Sequence, residues 1–317
     1  MIWSLGALAA LLLWSVVGPR VLRGFQRRAR PTARVMVHLW TLATALWLLA
    51  CFLLLAILVT RVMGPGVKSF VFACVDLLQA IHDNGAENGV LTALLLGAVG
   101  LARLTWTALR RRSAGNAWTR EHVRRLQSGG RLRTVHTDRV WVLPTSETAA
   151  YCLPGRQFGI VVTQGALDSL TPAELSAVLA HERAHLSGRH HILVGWARLL
   201  DHAFPAVPLL RAAASELPEL VEWAADDQAA RETGPHVLAH ALGVMARAQP
   251  RTQGTEPALA AAGACPVRRV RRQLQPAQPP VGWAANAAAA LVVVLPLALT
   301  ALATLLNIVL PYCDCVG

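Results

Sequence analysis

The chain has 317 residues, 54% of them apolar and only 15% charged. Ordinary soluble domains carry about 25% charged residues, so the composition excludes a disordered chain and a typical aqueous globule. Lysine plus arginine outnumber aspartate plus glutamate by 30 to 18, and Lys68 is the single lysine. In a chain this apolar, such an excess of arginine orients loops at a membrane, so membrane lipid is the expected partner and direct nucleic-acid binding is not. Six cysteines without a CxxC pair exclude a zinc ribbon and a thioredoxin-type site.

A hydrocarbon core about 30 Å thick takes roughly 20 apolar residues in a helix, and four stretches meet that measure. They are 1–18, ending at Pro19; 35–60; 89–109, whose Arg103 can snorkel toward the Arg110 to Arg112 end; and 282–310, with Pro296 inside it. The first has no basic residue ahead of its apolar core and no small-x-small cleavage site, so it reads as an uncleaved anchor. Between the first two stretches lie Arg20, Arg23, Arg27, Arg28, Arg30 and Arg34 without an acid, which predicts a cytoplasmic loop. Between the second and third, Arg61 and Lys68 are balanced by Asp76, Asp83 and Glu87, which suits the outside. Arg110 to Arg112 open the segment 113–281, and Arg268, Arg269, Arg271 and Arg272 close it, so both its ends read as cytoplasmic. The expected fold is mainly α: a four-span membrane protein with both termini outside, three spans in 1–112, an α+β domain at 113–281, and the fourth span with a short tail at 282–317. Cys74, Cys313 and Cys315 then face the oxidising side, where a disulfide and unpaired thiols are both open, while Cys152 and Cys265 face the reducing side.

The internal domain opens with strand patterns at Val140 to Leu143, Thr148 to Leu153 and, after a Pro154-Gly155 turn, Phe158 to Thr163. Thr171-Pro172-Ala173-Glu174 is a capping box with proline at the first helical position, which predicts a helix starting there. That helix carries His181-Glu182-Arg183-Ala184-His185. Histidines four apart project from one face and can share one Zn²⁺, and Glu182 beside the first can take a proton from a water that the ion polarises. This is the chemistry of metal-assisted peptide hydrolysis.

HExxH alone is a short pattern, and Arg183 fits it less well than an uncharged residue. A second element strengthens it. Glu222-Trp223-Ala224-Ala225-Asp226 falls in a predicted helix, Pro218 to Thr233, where Glu222 can supply the third ligand and Asp226 can hydrogen-bond a ligating histidine. The alternative third ligand is His191, since His185 to His191 completes HExxHxxGxxH with Gly188 as the turning residue. That pattern also wants a methionine turn, and Met245 sits in a helical pattern instead, so Glu222 is favoured. The apolar run Ile192 to Leu210 contains Arg198, Asp201, His202, Pro205 and Pro208, which argues against a span and for a partly buried helix docked near the membrane.

These residues resemble integral-membrane metallopeptidases of the BlaR/MecR type, related to HtpX-like and CAAX-prenyl-protease-type gluzincins. The resemblance rests on the run Val178 to His191, on Glu222-Trp-Ala-Ala-Asp226, and on a domain between spans three and four. It implies one zinc per chain held by His181, His185 and Glu222, Glu182 as general base, and Asp226 supporting a ligand. It also implies that the strand Thr148 to Leu153 receives an extended substrate by strand addition. The implied activity is cleavage of a cytoplasmic-side protein, such as a transcriptional repressor; HtpX-like quality control is the alternative, and a silent receptor or scaffold with a structural zinc site is the reading from another class. Transducers of this type carry a penicillin-binding sensor with a Ser-x-x-Lys nucleophile after the fourth span. Only Pro311 to Gly317 follow here and Lys68 is the single lysine, so no β-lactam sensing is expected of this chain. Relatives often place a His-Pro before an arginine-containing helix to steady the oxyanion; the corresponding stretch, Cys265-Pro266-Val267-Arg268-Arg269, has cysteine, which leaves that role unassigned.

Overall fold

The computed structural model describes residues 2–63, 95, 97–110, 124, 129–135, 138–153, 159–248 and 265–275, with scattered helical positions between 287 and 302. The expectations for Cys74, Cys313, Cys315 and most of 282–310 concern residues outside this set.

Two long helices come first, α1 (Ile2–Ala29) and α2 (Ala33–Met63), joined by a three-residue turn at Arg30 to Thr32. Both contain stretches long and apolar enough to cross a membrane, Gly6–Ala29 and Ala33–Leu55. They pair antiparallel, and the Trp47 indole donates to the Leu11 carbonyl at 3.0 Å. The first helix was expected to stop at Pro19, but it runs on for ten residues. Proline removes one donor without forbidding the helix. The arginines expected in an inter-span loop therefore mostly lie on the last turns of α1. A further helical stretch covers 97–110, within the third apolar segment.

The internal domain has a four-stranded sheet formed by β1 (Arg131–Val135), β2 (Asp138–Leu143), β3 (Ala150–Cys152) and β4 (Ile160–Thr163), in the order β1-β2-β4-β3. Three of these match expected strands; β1 went unread because Arg131, Arg133 and Thr134 break its apolar pattern. Strands β2 and β4 run parallel, while β1 and β3 pair antiparallel at the two edges. Alternation sorts the faces. Val140, Val142, Ile160 and Val162 point to the helical side and form one core with Val178, Leu179, Leu238 and Ala241, whereas Leu153 and Val161 pack with Trp141 and Tyr151 on the other face.

Five further helices precede the last linker: α3 (Gln164–Ser169), α4 (Pro172–Ser187), α5 (His190–Ala203), α6 (Pro208–Thr233) and α7 (Pro235–Ala248); α8 (Pro266–Gln273) follows it. The capping box at Thr171 forms as predicted: Thr171 accepts from the Glu174 amide, and Glu174 accepts from the Thr171 amide at 2.8 Å. Helix α6 was expected to begin at Pro218 but starts ten residues earlier, at Pro208, and passes through Pro218. Its first half buries Leu209, Ala213, Leu217 and Leu220 in a core shared with Trp14 and Leu22 of α1 and Met36 and Trp40 of α2. That packing outweighs the one hydrogen bond that proline forfeits. Helix α6 is thus the beam that joins the sheet-bearing domain to the two apolar helices, and the Arg23–Glu216 ion pair (2.8 Å) ties it there.

Candidate metal centre

The centre is built where α4 crosses the second half of α6. On α4, the four-residue spacing sets His181 and His185 on one face, with their Nε2 atoms 3.0 Å apart. From α6, Glu222 reaches across, Oε1 3.4 Å from His185 Nε2 and Oε2 3.6 Å from His181 Nε2. Four-coordinate zinc with bonds of about 2.0–2.2 Å sets its donor atoms roughly 3.3–3.6 Å apart. With one donor atom from each residue, His181, His185 and Glu222 gather within 4.8 Å of one another, and the individual pairs at 3.0, 3.4 and 3.6 Å are close to the spacing of ligands around one zinc. These three side chains form the one cluster among the described residues whose donor atoms gather closely enough for a metal ion.

Each histidine is oriented from behind. Asp226, fully buried one turn beyond Glu222, sits with Oδ1 3.1 Å from His181 Nδ1. A carboxylate there fixes the proton on Nδ1 and turns the Nε2 lone pair into the cluster. His190 does the corresponding work for His185, with the two Nδ1 atoms 2.9 Å apart. Gly188 makes this approach feasible, because a Cβ there would lie 2.4 Å from the His190 ring. Arg189 takes the left-handed conformation (φ 48°) at the same turn. The glycine thus admits His190 to the His185 ring, while His191 is exposed and is not among the three side chains whose donor atoms gather. His190 is buried and, without joining the cluster, holds one of its rings.

Helix α8 contributes a second group that sequence reasoning had left without a role. Arg269 forks onto Asp226 at 2.6 and 2.8 Å and reaches Glu222 at 3.1 Å. Its neighbours fasten the same helix to α6, Arg268 on Glu219 and Arg272 on Asp227, with Arg272 also 5.3 Å from the Trp223 ring centroid. Three of the four arginines of 268–272, read as a topology signal, pair with acids of α6. Arg183, the residue that fits HExxH poorly, points away from the cluster and pairs with Asp138 of β2 and Glu232 of α6.

The electrostatics follow from this crowding. Burial opposes a charge on His181, but hydrogen bonds to Asp226 and Glu222 outweigh it and hold its pKa up at about 9. Burial likewise works against the Glu222 and Asp226 carboxylates; the histidines keep Glu222 well below the usual range, and Arg269 keeps Asp226 low. Glu182, buried beside the pair, is pushed up chiefly by loss of water, a condition suited to a group that must accept a proton near neutral pH. The edge strand β3 lies against the HExxH helix, and burial together with the adjacent Glu182 raises the Cys152 thiol to about 12.

Residues 113–220 match the model of Peptidase family M48. Members of that family are zinc-dependent metallopeptidases, among them the HtpX-like enzymes, and the match, which covers about a third of the chain, makes this region similar to their domain. The match contains the HExxH helix and ends just short of Glu222, so Glu222, Asp226 and Arg269 are joined to that helix by the tertiary structure alone. No curated protein and no solved structure matches the chain.

Proposed function

We propose that this chain is a membrane-anchored zinc endopeptidase that hydrolyses a protein substrate on the cytoplasmic side. In this reading His181, His185 and Glu222 hold one zinc ion, Glu182 is the general base, and Asp226 and His190 orient the two imidazoles. The observation that carries it is the donor triangle with a buried carboxylate next to it, His181, His185 and Glu222 within 4.8 Å of one another and Glu182 on the adjacent turn position. A zinc ion held there would acidify a water and polarise the scissile carbonyl. Glu182 accepts the proton released on attack and passes it to the departing amine, its raised pKa suiting both transfers. Strand β3 pairs with β4 on one side, and its other edge has no strand beside it among the described residues. A peptide added there would run past Cys152 and Glu182, which favours an endopeptidase acting on extended segments.

The four-span topology, with both termini outside, and the cleavage of a regulatory protein such as a repressor belong to this reading through the resemblance to BlaR/MecR-type enzymes. HtpX-like quality control of membrane proteins is the second reading, carried by the same resemblance. Glu182→Gln separates catalysis from a silent scaffold: it is expected to retain about one zinc per chain while peptide hydrolysis falls by about 10²–10⁴. A variant that keeps the wild-type rate would refute the assignment of the base, and comparing the proteomes of wild-type and Glu182→Gln cells separates a single regulatory substrate from many damaged membrane proteins.

A further inference from the structure

The hairpin formed by α5 and α6 reaches deep along the apolar helices. The Trp47–Leu11 hydrogen bond fixes the register of α1 against α2, so at about 1.5 Å per residue Arg23 lies opposite roughly residue 35 of α2. Arg23 holds Glu216 at that level. Helix α6 runs from Glu216 back to Pro208, about 12 Å, and the turn Phe204 to Val207 lies beyond it. A second set of contacts fixes the direction. A Cβ on Gly97 would stand 3.1 Å from the Leu55 side chain, and one on Gly100 3.4 Å from the Phe204 ring. Gly97 and Gly100 are only about 4.5 Å apart along their helix. Both routes bring Phe204 alongside the apolar middle of α2, between Trp47 and Leu55.

We propose that this turn is a wedge inserted from the cytoplasmic side among the acyl chains as far as the bilayer midplane, with Trp196 nearer the headgroups. The proposal rests on the membrane reading of α1 and α2 given above. Pro205 and Ala206 are exposed at the tip, and Trp196, about 12 Å up α5, is 53% exposed, the depth and amphipathic character of an interfacial tryptophan. Within the turn Val207 donates to the Phe204 carbonyl at 3.1 Å and the Arg211 guanidinium to that of Pro205, which lowers the cost of placing this backbone in hydrocarbon. Arg198 lies near the Trp196 level, within snorkelling reach of the headgroups. The arginines that crowd the last turns of α1 at this end supply attraction for anionic lipid. The break between α5 and α6 excludes a single straight span.

The test uses the full chain with its native cysteines replaced, reconstituted into phosphatidylcholine vesicles containing phosphatidylglycerol. An environment-sensitive fluorophore is attached in turn to Ala206→Cys, to Leu13→Cys on the exposed face of α1, and to His236→Cys beyond the far end of α6. The wedge predicts blue-shifted emission at Ala206→Cys, quenching by nitroxide on the lipid chains as at Leu13→Cys, and loss of the iodide quenching seen at His236→Cys. If Ala206→Cys behaves like His236→Cys while Leu13→Cys stays lipid-quenched, the wedge is refuted and the membrane reading stands. If Leu13→Cys is also iodide-quenched, the membrane reading fails and takes the wedge with it. Shielding of Ala206→Cys from both quenchers would mean a protein partner, such as a second copy, and would equally overturn the proposal.

Discussion

Asp226→Asn tests the central geometry, because the side chain keeps its size and loses only the charge that orients His181. Asp226 is fully buried, 3.1 Å from His181 Nδ1, and takes two bonds from Arg269. An asparagine amide has one acceptor oxygen for these donors, so either the imidazole or the guanidinium loses its partner. Removing such a support behind a metal-binding histidine costs 10–100-fold in metal affinity, or about 1.4–2.7 kcal/mol. In the metal-free protein, Arg269 is left close to buried with only Glu222 beside it, and stability falls by up to about 3 kcal/mol. The assay is zinc titration of detergent-solubilised protein against a competing chelator, with helical content followed in parallel. Asp226→Glu, which keeps the charge and displaces it, is expected to fall between wild type and Asp226→Asn. Zinc affinity unchanged in Asp226→Asn, with helical content intact, would refute the role given to this carboxylate and the ligand assignment of His181.

Glu222→Ala is expected to lose stoichiometric zinc by metal analysis, while His191→Ala keeps it; the reverse result would restore the HExxHxxGxxH reading. Zinc binding requires a neutral His181, whose pKa is held at about 9 in the metal-free protein, so zinc is expected to displace about one proton below that pH. Calorimetry in buffers of different ionisation enthalpy measures the proton, and its absence near neutrality would count against the His181–Asp226 pairing. The same shift sets the sign for the metal-free fold: because the folded value lies above the unfolded value near 6.5, the stabilisation is complete below about pH 6.5 and is lost as pH rises through about 9, which chemical denaturation across that window detects. Thr171→Ala removes one arm of the capping box and is expected to cost about 1 kcal/mol by chemical denaturation, with zinc stoichiometry preserved.

The capping box, the HExxH face and the strands around Val140 and Ile160 were legible in the sequence because each is set by a few neighbouring residues: a side chain closing on its own backbone, a four-residue helical repeat, a two-residue alternation. The same local logic made Glu222 and Asp226 recognisable as one helix face. It failed where distant packing decides. Helix α1 passes Pro19 and α6 passes Pro218 because apolar surface buried against other helices outweighs a local penalty that the sequence displays openly. The approach of His190 to His185 depends on the space above Gly188, and Arg269 meets its carboxylate across 43 residues of chain. The sequence by itself determined which chemistry is available, since histidine and carboxylate spacing is a property of short segments. Only the tertiary structure decided which partners orient those groups, because burial, hydrogen-bond geometry and charge pairing arise between elements that the chain order keeps apart.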